Sequence, residues 1–373
     1  MRMKTLRLIM LPTLCISVVC CNKLTIPDAY LNIPAEIVDV NQVDSLIDLI
    51  SEIEYIPLES STNSLVSDPR QLVVSPYGYT ILDERHVKHF AEDGTYLFDI
   101  GRIGRGPGEY SVPMSVCYDN GYFFVNEQFR LLKYNAENGK FIGKIDLPRY
   151  CVQVIVKNDF VYCVDISGEH NIIYLTKLSN DKYCKVLYKG NDCDYYGYDF
   201  LPLLVSGDEV LFCDRFLGQI YQLKDGNVSL LISCDFGEQG VTKKMLKKRV
   251  KIDDMNVISE FGNSFMVGDD IVFEYKNYSQ WEYTLCYVNP FTKRMMKLKS
   301  NSFGILNQPE YIDYWHSHCS DNEYVYRLIQ PRANNIGMDS IDTIPVSFQT
   351  FKKIMSLTDD DNYYITKTKF KSL

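Results

Sequence analysis

Residues 118–127 read YDNGYFFVNE, a tight-turn signal followed at once by a short apolar strand. Asn-Gly favours the positive φ angles that two-residue hairpins need, and aromatic and β-branched residues favour strands. The same order of turn and strand recurs five more times. The copies are SPYGYTILDE (75–84), VKNDFVYCVD (156–165), SGDEVLFCD (206–214), VGDDIVFEY (267–275) and SDNEYVYRL (320–328).

Each repeat has room for four strands. An apolar run precedes the turn, as in QLVV (71–74), and a second turn such as AEDG (91–94), AENG (136–139) or KDG (224–226) leads into a last strand. Four antiparallel strands in a repeat of about 40 to 60 residues are typical of a propeller blade. The sequence therefore predicts an all-β fold, a six-bladed β-propeller of four-stranded antiparallel blades, over residues 50–373.

The sixth repeat lacks one strand. EIEYIPL (52–58) is predicted to supply it from the N-terminal side, because closing the ring removes exposed sheet edges. One or two short inserted helices are expected, at 240–255 and 345–355, where the apolar spacing is helical.

Composition excludes several classes of protein. The chain has 373 residues, 46% hydrophobic and 23% charged, which is ordinary for a globular protein. Its net charge of −9 argues against a nucleic-acid partner, since such proteins carry a basic face. With only five histidines, we expect neither a metal site nor a cofactor.

Residues 1–20 carry basic residues followed by an apolar run, as in a secretory signal peptide. The following Cys20-Cys21 resembles a lipobox in which Cys21 is lipidated. Residues 21–49 are then a lipidated N-terminus and tether, and the anchor is the only contact with the membrane. Because Asn22–Thr25 contain no acidic cluster, we expect an outer membrane lipoprotein on the periplasmic leaflet rather than the cell surface.

Nine cysteines remain beyond Cys21, an odd number without any CxxC spacing. Several lie in apolar strand-like runs, so we expect mostly reduced core thiols. The histidines are interpreted without catalysis: His316 and His318 in packing or hydrogen bonding, and His86 and His89 at the surface.

Four segments carry a resemblance to a known family: IPLESS (56–61), EDGTYLFD (92–99), IGRIGRGPGEY (100–110) and DDDNYYITKTKFK (359–371). Together they resemble the six-bladed, NHL-like β-propeller lipoproteins of Bacteroidota, over essentially the whole mature chain. That family has Asn-Pro where this chain has Asn362-Tyr363. The resemblance implies the fold and an envelope address, but no agreed activity. The Gly-rich segment lies between two strands and contains Pro107, so it does not match a phosphate-binding loop.

Three functions stay open: a non-catalytic binding or scaffold propeller, which we favour; a propeller enzyme (lyase, esterase or glycan-cleaving) with a site at the axial channel; and a sensor or regulatory partner of an envelope complex. We expect a monomer whose partner is a glycan, a peptide or an envelope protein. A ligand is expected on the face formed by the loops that leave each outer strand and by the turns between second and third strands. The candidate residues there are Arg105, Glu109, Tyr110, Arg130, Tyr195, Tyr196, Tyr198, Arg215, Tyr311, Tyr314 and Trp315.

Overall fold

The computed structural model describes residues 31–34, 50–167, 172–190, 202–206, 209–214, 216–247, 257–277, 282–292, 294–299, 318–321, 323–331 and 361–371. Over these residues the chain forms six four-stranded antiparallel sheets, numbered below as blades one to six. The innermost strands of successive blades are neighbours, and that of blade six lies beside that of blade one. The predicted six-bladed β-propeller is confirmed.

The strands are numbered along the chain. Two precede the first blade: β1 (Leu31–Pro34) and β2 (Ile50–Pro57). Blade one contains β3 (Pro69–Ser75), β4 (Gly78–Asp83), β5 (His86–Phe90) and β6 (Tyr96–Asp99). The short strands β7 (Arg102–Ile103) and β8 (Glu109–Tyr110) form a parallel pair between blades. Blade two contains β9 (Ser115–Asp119), β10 (Tyr122–Glu127), β11 (Arg130–Asn135) and β12 (Phe141–Asp146).

The next three blades repeat this order. Blade three contains β13 (Gln153–Lys157), β14 (Phe160–Asp165), β15 (Ile172–Lys177) and β16 (Asn180–Lys189). Blade four contains β17 (Leu203–Ser206), β18 (Glu209–Asp214), β19 (Gln219–Lys224) and β20 (Asn227–Asp235). Blade five contains β21 (Ile258–Val267), β22 (Asp270–Asn277), β23 (Glu282–Asn289) and β24 (Arg294–Lys299).

Blade six is built from both ends of the chain. Its inner strands are β25 (His318–Ser320) and β26 (Tyr324–Ile329), followed by β27 (Tyr364–Phe370). The outermost strand is β2, which pairs antiparallel with β27, so that Ile53 faces Thr368. Ile53 and Ile56 are buried by this pairing. The predicted closure of the ring by an N-terminal strand is confirmed.

A second N-terminal pairing was not anticipated. The strand β1, within the segment that the sequence assigns to the tether, lies parallel to β20 and makes the sheet of blade four five-stranded. The chain therefore contacts the rim of blade four before it reaches blade six.

Helix is sparse in the described chain. One short α-helix, α1 (Lys243–Lys247), follows a single 3₁₀ turn at Gly237–Gln239. This helix falls within the predicted 240–255 segment, whereas the predicted helix at 345–355 lies outside the described residues. No helix among the described residues has the length and apolar character needed to cross a bilayer.

Polar side chains on the innermost strands join neighbouring blades. Each accepts a hydrogen bond from a backbone N–H of the next inner strand, replacing the sheet bonds that inner strands do not share. The pairs are Gln71 Oε1 with Val116 N at 2.8 Å, Ser115 Oγ with Val154 N at 3.0 Å and Gln153 Oε1 with Leu203 N at 2.8 Å.

The glycine-containing turns between third and fourth strands pack against the outer strand of the preceding blade. A Cβ built on Gly139, in the AENG turn of blade two, would lie 2.7 Å from the Phe98 ring of blade one. In the same way, Gly94 of blade one meets the Pro57 carbonyl of blade six. Both glycines have positive φ, so the turn geometry and the close approach each demand glycine. These turns are thus contacts between blades as well as hairpins.

The prediction that His86 and His89 lie at the surface is confirmed for His86 and wrong for His89. His86 is exposed, as predicted, but His89 is only 1% exposed. Its ring packs against Phe98 of blade one at 5.1 Å and Phe123 of blade two at 5.0 Å, because this side of β5 faces blade two. Burial lowers the pKa of His89 from 6.5 to about 4, so the ring is neutral at physiological pH.

The described cysteines carry no disulfide, and six of them are buried: Cys117, Cys151, Cys163, Cys213, Cys234 and Cys286. All but Cys151 fill strand positions, and all six lie among aliphatic and aromatic side chains, as expected of core thiols.

Candidate functional site

The upper face is defined as the face that carries the turns between second and third strands and the loops leaving the outer strands. In blades two and three it holds an arginine–aromatic cluster, defined by Phe129, Arg130, Arg149 and Tyr150. Phe129 and Arg130 come from the turn between β10 and β11, and Arg149 and Tyr150 from the loop after β12. Leu147 N donates to Phe129 O at 2.7 Å, which holds the two segments side by side.

The aromatic half of the cluster consists of one exposed ring and one half-buried ring. Phe129 is 53% exposed, and its ring meets that of the half-buried Tyr150 edge-on at 5.6 Å between centroids. Gln128 precedes it with a φ of 59°, a conformation that non-glycine residues rarely adopt. The turn therefore directs a large apolar ring outward instead of into the core.

The two arginine side chains are held in place by buried carboxylates. Arg130 Nη2 contacts Glu127 Oε2 at 2.5 Å, and Arg149 Nε donates to Asp165 Oδ2 at 2.9 Å. Both guanidinium groups are nearly half exposed, while the two carboxylates are 7% and 2% exposed. Charge-assisted hydrogen bonds of this kind fix the direction of a guanidinium group and leave its remaining N–H donors free.

The two carboxylates are themselves fully engaged. Glu127 Oε1 accepts from the backbone and hydroxyl of Ser111, both at 2.7 Å. Asp165 Oδ1 accepts from the backbone and hydroxyl of Ser167, at 2.9 and 2.6 Å. They act as structural anchors for the loops around the cluster, so the cluster presents arginine donors and the Phe129 ring to solvent.

An acidic residue at the end of the second strand is a recurrent feature. Asp83, Glu127, Asp165 and Asp214 occupy this place in blades one to four, and all are buried. Asp83 Oδ1, for example, accepts from Ser67 N and Asp68 N of the incoming loop at 2.9 and 2.7 Å. The sequence shows this signal as an acidic residue at the end of the strand in the first four repeat copies.

The Gly-rich loop of residues 100–110 folds around its own carboxylate. Glu109 Oε2 accepts from Gly106 N and Glu109 Oε1 accepts from Arg102 Nε, each at 2.7 Å. The Gly106 N–H, and then Arg102, lower the pKa of Glu109. A Cβ on Gly104 would lie 2.0 Å from Oε2, so the loop closes tightly on this side chain. Glu109 is therefore occupied within the loop, whereas Arg105 is exposed beside it.

The prediction of Tyr110 as a ligand-binding residue is corrected by its burial. It has no exposed surface, and its hydroxyl donates to Ile100 O at 3.1 Å. Burial raises its pKa, and the ring packs in the core between blades one and two. Tyr110 is a packing residue because the loop turns inward at β8.

Of the other predicted residues, Arg130 lies in the cluster and Arg105 on the same face. Sequence reasoning missed Phe129, Arg149 and Tyr150, although FR follows the second strand of blade two and RY follows its fourth. The remaining predictions lie outside the described residues: Cys21, Tyr195, Tyr196, Tyr198, Arg215, Tyr311, Tyr314 and Trp315. Among the described side chains no group of three or more His, Cys, Asp or Glu is placed to hold a metal ion.

Comparison with solved structures supports the fold. A Bacteroides fragilis protein predicted to be exported is similar with a TM-score of 0.69 at 14% identity, covering 92% of this chain and 99% of its own. BamB from Moraxella catarrhalis has a TM-score of 0.42 at 9% identity, covering 86% of this chain and 100% of its own. That score is too low to bear on function. At 14% identity the first likeness shows the shared fold alone.

No functionally curated protein matches the sequence. A family model, described as a domain of unknown function (DUF4934), matches residues 31–369. That span takes in β1, all six blades and the closing pair β2–β27. The chain belongs to this family of six-bladed propellers of unknown function.

Proposed function

We propose that the protein is an exported, envelope-anchored lipoprotein that acts as a non-catalytic binding or scaffold propeller for a glycan or peptide. One observation carries the proposal. At the junction of blades two and three, the exposed Phe129 ring packs edge-on against the half-buried Tyr150 and lies beside two arginines held in position by buried carboxylates.

Such a cluster suits binding for a physical reason. Exposed aromatic rings with fixed polar neighbours lose little conformational entropy when a ligand arrives. The two buried carboxylates beneath the cluster, Glu127 and Asp165, are already bonded to serine and arginine groups, which supports a binding role over acid–base chemistry.

The cellular location is part of the proposal. A signal peptide at 1–20 and lipidation at Cys21 would place the propeller on the outer membrane, with the periplasmic leaflet favoured. The pairing of β1 with β20 supports a tether that is attached to the rim of blade four. A lipid anchor with two or three acyl chains would give durable attachment without a spanning helix.

The test is a screen of the purified chain without its lipidated cysteine, residues 22–373 and called the mature chain below, against arrays of envelope glycans and extended peptides. Any ligand found is then measured against Phe129→Ala and Arg149→Ala, with Tyr77→Ala as control. Tyr77 is an exposed aromatic at the turn between β3 and β4, which belongs to the opposite face. We expect both cluster variants to weaken binding about tenfold or more while the control binds normally. A ligand that binds all three variants equally would contradict the proposal.

A further inference from the structure

Arginine predominates on the upper face of blades one to three. The basic residues of the described loops and turns on this face are Arg85, Arg102, Arg105 and Arg149, with Arg70, Arg130 and Lys189 at the adjoining strand ends. The turns at the other ends of the same strands carry lysine instead, at Lys140 and beside Lys157. Arginine presents a rigid planar fork of N–H donors, whereas lysine is a flexible point charge.

The charge of these arginines is largely compensated within the protein. Carboxylates contact four of them: Asp68 with Arg70 at 3.3 Å, Glu109 with Arg102 at 2.7 Å, Glu127 with Arg130 at 2.5 Å and Asp165 with Arg149 at 2.9 Å. Arg85 donates to the carbonyl oxygen of Ser111 at 2.9 Å. The face therefore offers fixed donors without the excess positive potential that attracts polyanions.

A neutral ligand fits this arrangement better than an acidic one. The whole chain carries a net charge of −9, and a polyanion would also meet Asp146, which is exposed beside Arg130. Hydroxyl and ether oxygens can accept from compensated guanidinium groups with little loss of solvation. The exposed Phe129 ring supplies a flat apolar surface, which suits the C–H face of a pyranose ring.

A peptide fits less well. An extended backbone alternates donors and acceptors, but the buried carboxylates Glu127 and Asp165 already accept from serine and arginine groups. Asp146, the exposed carboxylate beside Arg130, already contacts Lys144 Nζ at 3.5 Å, so a peptide N–H buried at the cluster has few free acceptors and costs about 1–3 kcal/mol. A sugar hydroxyl can accept from arginine while it donates to water or to its own neighbour.

From these features, and resting on the proposed binding function, we infer that the arginine–aromatic cluster binds a neutral, pyranose-based polysaccharide. Phe129 stacks on a sugar ring, and Arg130 and Arg149 donate to hydroxyl oxygens on either side of it.

The experiment measures retardation of the purified mature chain in native gels containing a neutral β-glucan, mannan or galactan. Polygalacturonate and poly-glutamate serve as acidic comparisons. Each gel is run at about 50 and about 500 mM NaCl, because salt at the higher concentration screens charge–charge attraction. We expect retardation by at least one neutral polymer, changed less than about twofold by salt. Phe129→Ala and Arg149→Lys should each weaken it about tenfold, and Tyr77→Ala should leave it intact.

The outcomes separate the inference from the function on which it rests. Retention by polygalacturonate alone, abolished at high salt and by Arg149→Lys, would overturn neutral-sugar recognition and leave a binding cluster. Retention by poly-glutamate or by array peptides through the same residues would do the same. Retardation by no polymer, together with an array screen in which no ligand depends on Phe129, would overturn both.

Discussion

The side-chain amide of Asn362 donates from Nδ2 to the carbonyl oxygen of Ser64 at 2.9 Å, across almost the whole length of the chain. The same nitrogen donates to Glu59 O at 2.8 Å, and Oδ1 accepts from Val66 N at 3.0 Å. Asn362 is 2% exposed and lies two residues before the start of β27. It therefore ties the loop after the closing strand to the last strand of the chain.

Asn362→Asp should destabilise the closed ring. The variant keeps an acceptor for Val66 N but loses both donors, so two backbone carbonyls lose a partner and a buried charge appears. We expect a loss of about 2–4 kcal/mol in the free energy of unfolding, measured by denaturant titration. Asn138→Ala, at an exposed hairpin, is the control and should cost about 1 kcal/mol or less. Equal losses in the two variants would show that Asn362 contributes nothing special to closure.

A pair of glycines separates turn geometry from the contact between blades. Gly121 and Gly139 have positive φ angles of 81° and 67°, but a Cβ on Gly121 would meet nothing within 4 Å. Both alanine variants should be destabilised by the backbone conformation. Gly139→Ala should lose about 1–3 kcal/mol more, because its methyl group would overlap Phe98. Thermal unfolding of both variants, measured side by side, checks the difference. Identical values would mean that the outer turns do not lock the blades.

His89 gives the protein an acid-sensitive step. Its folded pKa of about 4 lies below the unfolded value of 6.5, so the unfolded chain binds the proton first as pH falls. Stability from this group is complete above pH 6.5 and declines towards pH 4, by about 3 kcal/mol. His89→Gln should lose correspondingly less stability between pH 7 and pH 4 than the wild type. His86→Gln, which alters an exposed ring, should follow the wild type. If His89→Gln keeps the full acid dependence, the carboxylates and not this ring are responsible.

Lipidation at Cys21 is tested by fractionation. We expect the wild-type chain to stay with membranes after a salt wash and the Cys21→Ala variant to be released in folded form, since no other anchor is proposed. Intact-mass measurement of the mature N-terminus gives an independent readout. Persistent membrane association of the variant would rule out a lipid anchor at this cysteine.

The fold could be predicted because its signals are local. The turn and strand of YDNGYFFVNE (118–127) appear in the structure as β9, a tight turn and β10, and the missing sixth-blade strand could be identified from EIEYIPL. The burial of His89 could not be predicted, since hairpin position alone does not tell which blade covers the ring. The burial of Tyr110 could not be predicted either, because a Gly-rich loop can turn towards the core or towards solvent.

The candidate site was predictable only in part. Arg130 was chosen from its turn, but the pairing of Phe129 with Tyr150 joins segments about 20 residues apart, which no single-repeat pattern reveals. The recurrent acid that ends the second strand was visible in the repeats. Its use as a support for surface arginines depends on the neighbouring blade, as with Asp165 and Arg149.

We propose above that the upper face of blades two and three binds the ligand. Hydrogen–deuterium exchange of the mature chain, with and without the ligand from the array screen, tests it directly. We expect the ligand to slow exchange in residues 127–130 and 147–152. Exchange in the opposite turns, at 118–122 and 157–160, should not change. Protection confined to those opposite turns, or to the rim of blade four, would contradict it.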